Sequence, residues 1–80
     1  MTTKSELRLN SMKRVMNSKV DLMSDLTKHA ADYEASMIQA GMKVEFDAYL
    51  TDLRNSIQTL DAECDELSIA IGTLTLHVYR

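Results

Sequence analysis

Apolar residues recur at alternating intervals of three and four in two long stretches, the spacing of a heptad seam on an α-helix. The first stripe runs Leu9, Met12, Met16, Lys19, Met23, Leu26, Ala30, Tyr33, Met37; the second runs Phe46, Leu50, Leu53, Ile57, Leu60, Cys64, Leu67, Ile71, Leu74, Val78. Between them lies Gly41, the residue best suited to end a helix in a left-handed conformation. If the chain folds back there, facing seam residues sum to number 83, from Met37/Phe46 beside the turn to Leu9/Leu74 at the open end. The pattern predicts an all-α antiparallel two-helix hairpin, coiled-coil-like, as a single domain over residues 1–80. Its elements are a helix over about 4–39, a turn over about 39–43 and a helix over about 44–79. The seam comprises Met16, Met23, Leu26 and Tyr33 on the first helix against Phe46, Leu50, Leu53, Ile57, Leu60, Leu67 and Ile71 on the second.

Local signals refine this outline and leave alternatives. Thr3-Lys4-Ser5-Glu6 has the form of a capping box and sets the first helix start. Asn17-Ser18 followed by Asp21 is a second capping signal, so a short separate N-terminal helix is a competing arrangement. A single unbroken rod competes with the hairpin, because one interior glycine costs only about 1 kcal/mol. A parallel zipper of the second stripe competes too, yet its flanking positions lack complementary interchain charges. The tail Thr73-Leu74-Thr75-Leu76-His77-Val78-Tyr79 alternates as a strand would, while Leu74 and Val78 continue the heptad; helix is the expected state.

A chain of 80 residues covers only one face of each helix in such a hairpin, so a dimer mate or another protein is expected to complete the core. The surplus of apolar residues outside the seam says where. Val15 and Leu22 flank the first helix on one side, Ile69, Ala70 and Leu76 lie toward that side of the second, and the register brings Val15 next to Ala70. They concentrate toward the open end, and Val15, Leu22, Ile69 and Leu76 are the expected partner-binding residues. The methionines of the first stripe suit a surface that repacks against another.

The absence of proline and the presence of only two glycines agree with long helices. The net charge of -3 is unevenly spread: residues 1–20 carry Lys4, Arg8, Lys13, Arg14 and Lys19 against Glu6 alone. Nucleic acid is not the expected partner, because these cations lack interleaved aromatics and Lys19 falls beside Asp61 and Glu63 in the hairpin register. With one cysteine and two distant histidines, neither a disulfide nor a metal site is expected, and Cys64 reads as a small seam residue. No phosphate loop, nucleophile elbow or catalytic carboxylate pair is present, so neither catalysis, a cofactor nor a small-molecule substrate is expected. No segment reaches the length of a membrane span, and a cytoplasmic location is expected.

Around Met37-Ile38-Gln39-Ala40-Gly41 and Phe46-Asp47-Ala48-Tyr49-Leu50 the chain resembles the small needle co-chaperones of bacterial type III secretion systems. The resemblance lies in length, in a glycine-containing turn and in aromatic residues leading the second helix; the basic lead-in before Asn17 departs from it. It implies an antiparallel hairpin that joins a tetratricopeptide-like chaperone and keeps a needle subunit from polymerising. The residues themselves also allow a phage- or plasmid-encoded inhibitor acting as a dimer, or a purely structural homodimer.

Overall fold

Helix α1 (Lys4–Gln39) begins where a side-chain oxygen can satisfy an orphan amide. Thr3 holds the N-cap with extended backbone, and its Oγ1 accepts the Glu6 N–H at 3.2 Å. In the computed structural model, which describes residues 3–79, α1 passes Asn17-Ser18 without interruption. The second capping signal does not act because Met12, Met16, Lys19 and Met23 are half-buried in continuous sequence across that point. A break there would detach Leu9, which is only 1% exposed.

At the far end Gly41 adopts φ 75°. Its N–H donates to the Ile38 carbonyl at 3.0 Å, and the Met42 N–H donates to the Met37 carbonyl at 3.0 Å. This pair of bonds is a Schellman closure, which consumes carbonyls left unpaired at a helix end and needs a left-handed residue. A Cβ at Gly41 would meet nothing within 4 Å, so the demand for glycine comes from the backbone angle and not from crowding.

Helix α2 (Ala48–Val78) starts later than the heptad implies. Asp47 is its N-cap: one carboxylate oxygen accepts the Leu50 N–H at 2.8 Å, and the other accepts the Tyr33 hydroxyl at 3.0 Å. Residues 44–47 therefore form a turn, with the Asp47 N–H bonded to the Val44 carbonyl at 3.2 Å. This corrects the seam at Phe46. Lying before the cap, that ring is not in helical register and stands 91% exposed, while Val44 packs against the core beside the turn.

The helices run antiparallel as an all-α hairpin measuring 60 × 18 × 15 Å. A 36-residue helix is about 54 Å long, so the molecule is little more than one helix length with its turn. Ala30, Leu50 and Leu53 form the buried cluster nearest the turn, with Leu26, Tyr33, Val44 and Ile57 packed around them. Leu9, Met37 and Cys64 are buried elsewhere along the seam. Most remaining seam residues are half-buried, as expected of a layer one helix thick.

The alternating tail is helical through Val78. Its threonines are accommodated because the Thr73 hydroxyl donates to the Ile69 carbonyl at 3.0 Å and the Thr75 hydroxyl to the Ile71 carbonyl at 2.6 Å. Leu74 and Val78 stay half-buried toward α1, and that burial overrides strand propensity.

The two glycines should respond oppositely to alanine. Gly41→Ala forces a side chain into positive φ and should cost about 1 kcal/mol. Gly72→Ala, in helix interior with nothing within 4 Å of the added methyl, should gain about 0.5–1 kcal/mol. Urea denaturation followed by far-ultraviolet circular dichroism measures both.

Candidate protein-binding groove

The two flanks of the seam differ in chemistry. One flank carries Lys13, Val20, Thr27 and Glu34 on α1 and Arg54, Asp61, Ser68 and Thr75 on α2. Across it an Arg54 guanidinium nitrogen sits 3.1 Å from the Glu34 carboxylate, a largely exposed pair worth about 0–1 kcal/mol. The opposite flank carries Arg8, Val15 and Leu22 on α1 and Glu63, Ala70 and His77 on α2.

Along this second flank the surface sinks into four adjoining hollows of about 290 to 520 Å³. Shared walls join them. Leu22 and Leu60 border two neighbours, Val15 and Lys19 another two, and Ala70 links the last toward Arg8 and His77. The result is one shallow groove between the helices, from Arg8 and His77 at the open end to Leu26 and Asp52 nearer the turn. Its floor is aliphatic through Val15, Leu22, Leu60, Leu67 and Ala70, while Asp52, Asn55, Ser56 and Thr59 make its turn-side wall polar and Arg8 and Arg14 border it toward the open end.

Lys19 supplies the polar point of the groove. Its Nζ pairs with the Glu63 carboxylate across the two helices, both side chains being about one-third exposed (30% and 39%). A lysine at a seam position keeps its stem on apolar neighbours and carries its charge to the rim. Partial exposure limits what the pair adds to stability.

The four residues expected to bind a partner fall into two groups. Val15 and Leu22, 47% and 50% exposed, line the groove. Ile69 and Leu76, 72% and 70% exposed, lie seven residues apart on the side of α2 that faces away from α1, and border none of these hollows. On α2 the groove takes Ala70, which the register sets next to Val15, together with Leu60 and Leu67. Leu60 and Leu67 are seam residues whose outer edges remain accessible, a dual role that heptad assignment does not display.

Nearer the turn is a cluster that pattern reading did not assemble. A His29 ring nitrogen lies 2.8 Å from the Tyr49 hydroxyl, and Tyr49 meets Tyr33 edge-on with ring centroids 4.8 Å apart. Tyr33 in turn donates to Asp47. Shielding of the Tyr33 phenol from water, then its hydrogen bond to Asp47 and the charges of Asp47 and Tyr49, push its pKa above the ordinary 10.0. The available signal was the position of Tyr33 in the seam next to a capping aspartate, but only the fold brings the two together.

No family model, curated protein or solved structure matches this chain. Among the described residues no helix is long and apolar enough to cross a membrane. Fold and groove together define a helical-hairpin protein with a shallow, partly aliphatic groove along one flank of its seam.

Two outcomes are expected at the Asp47 cluster. Asp47→Ala removes the cap of α2 and should lower stability by about 1–2 kcal/mol in urea titration. Tyr33 binds its proton more tightly folded than unfolded, so its contribution is complete below pH 10.0 and is lost as pH rises through its higher folded pKa. The urea midpoint should therefore fall as pH rises above 10.0, and Tyr33→Phe should remove part of that fall.

Proposed function

We propose that this chain is a protein-binding module that covers the apolar stripe of a partner helix, acting as a small cytoplasmic chaperone or co-chaperone of a secretion-type system. The observation that carries the reading is the groove: Val15 and Leu22 stand about half exposed beside Leu60, Leu67 and Ala70, in a continuous trough between two parallel ridges. Such a trough accepts an amphipathic helix, whose apolar side chains recur every three or four residues. Half-buried Met12 lines its open end, and an unbranched thioether adapts to more than one partner surface. The resemblance around Gly41 and Phe46 to needle co-chaperones supports the chaperone form of the proposal over a free-standing structural role. The exposed ring of Phe46 leaves an aromatic at the turn for the same kind of contact.

Affinity capture from the native host tests this. Val15→Asp with Leu22→Asp should lose the captured protein at least about tenfold, a loss of roughly 1.4 kcal/mol or more, while far-ultraviolet circular dichroism stays unchanged. Ile69→Asp, on the outward side of α2, should leave capture nearly intact. Loss with Ile69→Asp and retention with the groove variant would place binding on the other surface.

A further inference from the structure

We propose that the groove also binds a second copy of this chain, antiparallel to the first, so that two hairpins close into a four-helix bundle with the basic open end of each against the acidic turn half of the other. The inference rests on the reading of the groove as a binding face and names one occupant for it.

Charge distribution along the rod is the first argument. Residues 1–20 carry five cations against Glu6, and residues 67–80 contain no acid, so the open end is positive. Residues 21–66, which form the middle and the turn half, hold eleven carboxylates against Lys28, Lys43 and Arg54. A second rod laid parallel would set positive end on positive end. Laid antiparallel it sets opposite charges together at both ends, and a two-fold axis makes the arrangement closed and self-limiting.

The groove has matching symmetry. Lys19 and Glu63 lie near the middle of its length, and the groove continues from them in both directions. A two-fold axis at their level would bring Val15 of one copy over Leu22 of the other and carry Arg8 to the level of Asp52. Arg8 and Asp52 are both exposed, at opposite ends of the groove. The two Lys19–Glu63 pairs would then meet at the axis as one polar layer between the aliphatic contacts of Val15 and Leu22, a device that fixes a single register at some cost in stability.

Size is adequate. With the axis at Lys19 the two copies overlap over about 30 residue levels, roughly 45 Å. At 18 Å wide that face offers on the order of 800 Å², which is what each partner contributes to a standard interface. The hairpin alone fully buries few side chains, and stacking on this flank would cover Val15 and Leu22 in each copy.

Sedimentation equilibrium of the full chain and a charge-reversal cycle test the proposal. The chain should dimerise, and Arg8→Glu or Asp52→Arg alone should weaken the dimer about tenfold at low salt. The double variant Arg8→Glu/Asp52→Arg should recover most of the loss. Such recovery cannot arise within one hairpin, because Arg8 precedes Lys19 and Asp52 precedes the facing Glu63 by eleven residues each, which sets the two side chains about 33 Å apart along the rod. A chain that remains monomeric while groove-dependent capture persists would overturn the second-copy assignment and leave the binding face standing. A dimer weakened by neither reversal would overturn the antiparallel arrangement. A dimer and a captured partner both indifferent to Val15→Asp/Leu22→Asp would overturn the binding face itself.

Discussion

Two helices can cover only one stripe of each other, and the consequences of that geometry run through the whole molecule. Leu9 and Leu50 are nearly sealed from water, yet Met16, Leu26, Ile57 and Leu67 on the same seam are half-exposed because no third element lies over their outer edges. A globular domain closes its core in three dimensions, whereas this one closes it along a line. The seam therefore does two things at once: its inner edges hold the hairpin, and its outer edges floor a groove.

The ends of the seam are governed by local chemistry of different kinds. At the turn, a positive φ at Gly41 ends α1, and the Asp47 carboxylate starts α2 while holding Tyr33 on the opposite helix. One side chain thus ties helix initiation to helix pairing. Tyr49 and His29 extend the tie outward. At the open end no such cluster is present among the described residues; α1 is capped by Thr3, and the two helices meet there through Leu9 and its half-buried neighbours. The turn is the better-anchored end, and the open end carries the basic surplus, while exposed apolar side chains stand at both, from Val15 and Leu22 to Met42 and Phe46.

Electrostatics adds direction to an otherwise nearly uniform rod. With the cations gathered in the first twenty residues and most acids in the middle and turn half, the molecule has a positive and a negative end. Charges on exposed helix faces add little to folding, but summed over a rod of this length they steer how another body approaches.

The three- and four-residue alternation in the chain was sufficient to foresee two long helices, their reversal at Gly41 and their antiparallel pairing, because those depend on side-chain period and on one backbone angle. It misplaced Phe46, since a heptad count does not register that Asp47 can begin the helix one turn later by binding both Leu50 and Tyr33. It grouped Val15 and Leu22 with Ile69, Ala70 and Leu76 on one side of the rod's open end. The three-dimensional packing separated them, because helical phase sends Ile69 and Leu76 away from α1 while Leu60, Leu67 and Ala70 turn toward it. Periodicity along one chain determines which residues are apolar neighbours within a helix. Only the phase at which each helix presents its faces to the other in the folded hairpin decides which neighbours share a surface.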